Sequence, residues 1–437
     1  MFDLIRGYSL IAYFLWTSTL LFGVDVSGLR VVKEKHKPAR DYYSANSESD
    51  WWHGRSLLGH GSSTKERLAQ AGITILASFT TDMFANPIGG KAQGFAYAGS
   101  YDLSININFD RSGWEGFELF SSADWRTGTS LSQRKIDNQF NIAQVFGSQT
   151  VKFIELYFQQ ILLQKNFLLK AGRLCAGNDF FASTLYSKLI NNGFNGNPVS
   201  IFYNVPFTAY PNATWGAYLM FKPYKRLSVK FAAFNANSNI KKDKYHGVNF
   251  TFKSTNGVIW ITEWCALVNQ EKGDQGMPGN YKVGYFYLTG NEPKFTGGEQ
   301  RGDPCFYLLF DQMIYRRPTS NREITPFISL IFQPQNRNLF PIYFNCGLVT
   351  KGLLSQRQDD FLSLGYIYGK YSRSQASVQS SLGLEPQNFE SILELNYWAQ
   401  INKWFYITPD IQYVIHPKGR ETPNAFVIGA EIGISIW

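Results

Sequence analysis

A chain of 437 residues, 44% hydrophobic and 16% aromatic, is long enough for two or three soluble domains or for one large barrel. No apolar run reaches the length of about eighteen residues that a membrane-spanning helix needs, and the mean hydropathy is −0.21. The net charge of +9 is consistent with anionic partners or an anion-favouring interior, but Lys and Arg are scattered rather than gathered into a nucleic-acid-binding stripe.

Residues 1–22, MFDLIRGYSLIAYFLWTSTLLF, place Arg6 ahead of an apolar stretch that starts at Tyr8, with small residues following near Gly23 and Gly28. The pattern is that of a secretory signal peptide over residues 1–28, although Asp3 departs from a purely positive start. Its removal takes away Arg6, Asp3 and Asp25, a net charge of −1, and so raises +9 to about +10. Residues 29–72 read as a polar periplasmic leader ending in a short helix within SSTKERLAQAG, with Ser63 or Thr64 as N-cap and Gly72 as the stop.

From Ile73 the hydrophobic period becomes two. Alternating runs between turn residues predict rising strands at 73–84, 115–126, 166–173, 227–235, 280–289, 324–334, 360–370 and 405–417. Descending partners follow at 100–110, 150–159, 212–222, 258–270, 305–315, 341–352, 390–401 and 424–437. RSGW, PYKR and NKW are tight connections while 127–149, 174–211 and 371–389 are long, the asymmetry of a membrane barrel. HGVNFTFK at 246–253 also alternates. A seventeenth strand would leave the last one on the wrong side of the membrane, so this run is assigned to an external loop, 236–257.

The last strand shows the logic. Phe426, Ile428, Ala430, Ile432, Ile434 and Ile436 share one face, and Val427, Gly429, Glu431, Gly433 and Ser435 the other. About eleven residues at roughly 3.3 Å each, tilted by roughly 45°, cover the apolar band of about 25 Å on a membrane barrel. The expected fold is all-β: a sixteen-stranded antiparallel transmembrane β-barrel over 73–437, with a short N-terminal periplasmic segment, integral to a bacterial outer membrane. Its final strand closes against 73–84.

Six segments then carry a resemblance: GHGSSTKERLAQAGITI, FANPIGGKAQGFAYAGSYDLSININFDRSGWEGFELF, LLKAGRLCAGNDFFAS, YPNATWGAYL, FDQMIYR and ELNYWAQINKWFYITPDIQYVIHPKG. In this order they resemble the carbohydrate-selective porin family of OprB type from about residue 50 to the C-terminus. The resemblance implies a sixteen-stranded outer-membrane channel for sugars with a charged eyelet in which arginine features. One departure is at the end: the apolar row counts back from Ile436, so Trp437 is one step out of phase.

A sugar offers hydroxyl rims and apolar C–H faces, so a selective constriction needs charged or amide groups flanked by aromatic rings. Strand 115–126 turns Glu118, Ser122, Asp124 and Arg126 to the lumen, and strand 150–159 turns Glu155, Tyr157 and Gln159 there. Lys170 follows on the next strand, where the resemblance also places Arg173. The loop 174–211, rich in Asn and aromatics, is expected to fold inward with Asn178, Asp179 and either Asn191 or Asn195 near the narrowest point; the alternative is a lid over the mouth. Glu394, Asp410 and Gln412 face inward from the far wall.

Cys175, Cys265, Cys305 and Cys346 lack metal-ligand spacing; disulfides and unpaired packing thiols both remain open. No HExxH, GxSxG or P-loop pattern occurs, so neither an enzyme nor a cofactor is expected. Small sugars and outer-membrane lipid are the expected partners, with a homo-oligomer left open and nucleic acid not expected. The expected function is passive, carbohydrate-selective diffusion, with a broad or anion-preferring porin and a surface-exposed adhesive barrel as alternatives.

Overall fold

A computed structural model of the chain describes residues 56–58 and 63–437, apart from 148, 238, 240, 241, 254, 255, 271–273 and 319. The signal peptide and most of the leader read from the sequence lie outside the described residues. Sixteen long strands follow: β1 (Ile73–Ile88), β2 (Gly94–Asn108), β3 (Phe117–Gly128), β4 (Val151–Leu162), β5 (Phe167–Leu174), β6 (Thr214–Tyr224), β7 (Leu227–Asn235) and β8 (Val258–Val268). The second half comprises β9 (Gly279–Pro293), β10 (Glu299–Gln312), β11 (Glu323–Phe332), β12 (Ile342–Lys351), β13 (Phe361–Lys370), β14 (Phe389–Asn402), β15 (Phe405–Ile415) and β16 (Ala425–Ser435). A two-residue bridge, Tyr315–Arg316, adds to the edge of β11.

Each strand pairs antiparallel with its neighbours in sequence, and β16 returns to β1 from Ser78 opposite Ser435 to Ile88 opposite Phe426. Closure gives every strand two partners, which a spanning sheet needs where no water is available to its backbone. All sixteen runs of period two are strands here, and 246–253 is not one. The connections at 89–93 and 294–298 are tight although they lie on the long-loop side, because β2 and β10 begin earlier than their patterns show. At the start of β2, GFAYAGS, small residues stand where bulky ones would make the alternation legible, yet Phe95 and Tyr97 are still turned outward, 62% and 51% exposed.

The alternation sorts the wall as its chemistry requires. Ile428 is exposed on the outer face, while Val427 and Glu431 are buried on the inner one. In β4 the register shifts opposite Ser121 and Ala123. Val151 above this bulge and Phe158 below it both face outward despite their opposite parity, and Ile154 and Glu155 are both buried between them.

At the end of the barrel where β16 finishes, α1 (Ser63–Gln70) stops at Gly72, whose φ is +79° and whose missing Cβ would stand 2.5 Å from the Asn108 carbonyl oxygen. The out-of-phase Trp437 is held there: its N–H donates to the Ala77 carbonyl at 3.1 Å, and the Lys65 ammonium of α1 lies 5.7 Å from its ring centroid. All four cysteines are free thiols.

Candidate functional site

β5 ends at Leu174, and the chain then turns inside the barrel as an inward belt over residues 175–213. Asn197 fixes its first turn by donating to the carbonyls of Gly177, at 2.8 Å, and Phe180, at 3.0 Å. Gly177 is required, since a Cβ would stand 2.1 Å from Asn197 Oδ1. From there the belt follows the wall. The Phe181 N–H donates to Glu263 of β8, Ser183 Oγ to Asp311 of β10, and the Ile190 and Asn191 N–H groups to Glu394 of β14. Asn191 also donates to Gln412 at 2.9 Å, and Tyr343 and Asn345 of β12 donate to the Gly193 carbonyl.

The external loop 129–150 enters beside it. Glu390 accepts from the N–H groups of Gln139 and Phe140, and Gln412 Nε2 donates to the Ile142 carbonyl at 3.2 Å. Aromatic rings fill the space behind the two loops, among them Phe181 on Tyr307 at 3.7 Å and Phe140 on Phe340 at 5.1 Å. Buried carboxylates that accept several backbone N–H bonds hold loops firmly, because releasing one would leave a charge unsolvated.

The residues expected from the sequence fall into three groups. Glu118, Tyr157, Lys170, Asn178 and Asp179 face the lumen and keep access to it. Glu118 accepts from Asn106, Asn108 and Gln159. Lys170 Nζ lies 2.7 Å from Asp179, and 5.5 and 5.1 Å from the ring centroids of Tyr157 and Tyr218. The second group faces inward but is covered. Arg126 and Asp124 form a 2.7 Å pair with side chains 5% and 0% exposed, and the Tyr210 ring lies 5.5 Å from the guanidinium. Glu155 accepts from the Cys175 N–H and from Asn178; Glu394, Asp410 and Gln412 are buried beneath the loops. Asn191 is buried and Asn195 half-buried within the belt.

Arg173 is a correction. It pairs with Leu156 and Trp215 on the outer face of the wall, where it donates to the Asn249 carbonyl at 3.1 Å. Three positions separate it from Lys170, and an odd spacing on a strand puts two side chains on opposite faces.

Lys188 is a lumenal residue that the sequence does not mark. Its ammonium sits 3.2 Å from the Trp398 ring centroid and 4.2 Å from that of Phe361, and among the described residues it has no hydrogen-bond acceptor. Burial, reinforced by the Lys351 ammonium, lowers its pKa to about 8. No periodicity marks a loop lysine. Asp82 and Glu390 were within reach of the alternation, being in phase with the buried Phe84 and with Glu394. In the belt, burial pushes the Cys175 thiol well up, and burial raises the Tyr203 phenol to about 12.

A closed sixteen-stranded wall with an oily outside, a charged inside and an inward loop defines an outer-membrane diffusion channel, a porin. The model of the carbohydrate-selective porin, OprB family, matches residues 92–436, and the chain belongs to that family. Porin B of Pseudomonas aeruginosa is 24% identical over 90% of this chain and 92% of its own length. A putative porin, QuiX, of Acinetobacter baylyi is 23% identical over 91% and 95%. The high-pH structure of Pseudomonas putida OprB superposes with a TM-score of 0.82 at 20% identity, covering 88% of this chain and 99% of its own.

Proposed function

We propose that this outer-membrane porin selects small sugars at the Lys170–Asp179 pair, with Tyr157, Tyr218 and Asn178 around it. The observation that carries the reading is the joining of an ammonium, a carboxylate and two ring faces inside the lumen, at 2.7, 5.5 and 5.1 Å. Hydroxyls need donors and acceptors side by side, and the C–H face of a pyranose needs an aromatic surface. Glu155 supports the pair by orienting Asn178. Arg126, Asp124, Glu394, Asp410 and Gln412 act one step back, holding the loops that shape the opening. The opposed charges of Lys170 and Asp179 set up a local transverse field that would orient permeant dipoles in a passage poorer in water than bulk.

The test is ion conductance through planar bilayers with and without glucose. Block by sugar is expected in the unmodified channel, weakened several-fold by Lys170→Ala and by Asn178→Ala. Sugar block that is unchanged in both variants would remove this cluster from the site. A second reading, an anion-preferring channel, draws on Lys188, a lumenal cation without an acceptor among the described residues, and on the net charge of +9. Strong anion preference with no sugar block would favour it.

A further inference from the structure

Because β5 stops at Leu174 and its continuation enters the lumen, the upper part of β4 has no partner on that side. Pairing between the two strands begins only at Leu156 opposite Arg173. Segment 246–253 of the external loop covers the gap from outside. The Phe153 N–H donates to the His246 carbonyl at 3.0 Å, Trp215 Nε1 to the Phe250 carbonyl at 2.7 Å, and Asn235 Nδ2 to the Lys253 carbonyl at 2.8 Å. Gly247 must be glycine, with φ at +74° and its missing Cβ only 1.8 Å from the Phe153 carbonyl oxygen.

The alternation of this flap thereby acquires a meaning. Val248, Phe250 and Phe252 are 58%, 43% and 62% exposed. Phe250 and Phe252 head a groove of about 640 Å³ on the outer wall, lined also by Trp215 and Trp260. It continues through Ala217, Ala233 and Trp260 into a second groove of about 730 Å³ beside Phe158. Three exposed ammonium groups, on Lys242, Lys244 and Lys253, belong to the same loop. Its Asp243 is already neutralised by Lys152 at 2.8 Å, so the rim keeps a positive balance. The flap lies on the long-loop side of the barrel, at the level of the outer leaflet.

We propose that the flap and groove dock an acidic lipid of the outer leaflet, with a phosphorylated headgroup at Lys242, Lys244 and Lys253 and an acyl chain lying along the groove past Trp260. The wall is continuous with the bilayer here, so acyl chains reach the groove without crossing water. Lysines at a membrane surface each add to the attraction of anionic headgroups.

Native mass spectrometry of the full chain in detergent tests this, with a bis-phosphorylated, acylated glucosamine disaccharide as probe and its dephosphorylated form as control. One adduct per chain is expected, held about tenfold or more tightly than the control, a preference lost in the Lys242→Ala/Lys244→Ala/Lys253→Ala variant. Ala217→Phe, which fills the groove, should weaken the adduct while heat-modifiable migration persists; should that variant fail to fold, the exposed lysine variant decides alone. Equal binding of both probes, or an undiminished adduct in the lysine variant, overturns the proposal. So does chain self-association that displaces the adduct, which would make a second copy the occupant.

Discussion

Arg126 and Asp124 show how much depends on whether a buried charge loses its partner or is replaced together with it. Arg126→Ala would leave the Asp124 carboxylate covered by the loops and opposite the Asp102 carboxylate, to which Tyr210 donates. Breaking a buried pair in this way costs about 3–5 kcal/mol. The temperature of the heat-modifiable transition should fall in Arg126→Ala, and most of the loss should be recovered in Arg126→Met/Asp124→Asn; a single variant as stable as the unmodified chain would show that the pair does not hold the loops. Lys188 makes a different prediction. Its pKa, about 8, is lowered on folding, so the folded chain sheds this proton before the unfolded one does. The burden of its buried charge is full below about pH 8 and is relieved as pH rises from there toward the ordinary lysine value. Anion preference, read as reversal potential in a salt gradient, should fall in a step centred near pH 8, where the folded channel loses this charge. A Lys188→Gln channel should lack that step.

At the scale of elements, the belt is held by a few acids, so its grip is open to test. Glu394→Ala removes the acceptor for two belt N–H groups. The expected result is larger, noisier single-channel conductance with weaker sugar block, in a barrel whose far-UV spectrum remains β-type. Strand parity gives a second test. Ile432 faces lipid and Glu431 accepts from Tyr406 inside, so Ile432→Arg should impair membrane assembly far more than Glu431→Gln. The strands were legible because a spanning wall imposes a period of two on every segment, and a slip of one residue would turn each side chain to the wrong solvent. What lay outside that code was not legible. The β4 bulge reverses parity between Val151 and Phe158 without a mark in composition. At Arg173 the resemblance runs against the residue's own parity with Lys170, which sets the two on opposite faces. The belt obeys no period, so Asn178 and Asp179 were found by residue type and Lys188 not at all. The run at 246–253 stands outside the wall, although its alternation is real: its oily face lies on the outside of the barrel.

For the whole molecule, closure predicts a cooperative unit: in detergent the folded chain should migrate differently before and after boiling, and a mainly helical spectrum would be incompatible with the sheet. The inward belt also has a mechanical reading. Contacts at Lys170, Glu263, Asp311 and Glu394 tie it to β5, β8, β10 and β14, far apart around the circumference. A hollow cylinder yields to sideways compression by becoming oval, whereas one braced by a strut must break the strut's fastenings first. The aperture should therefore keep its size in thin and thick bilayers alike, and Glu394→Ala should make conductance depend on acyl-chain length. In this molecule the element that narrows the way through also keeps its shape.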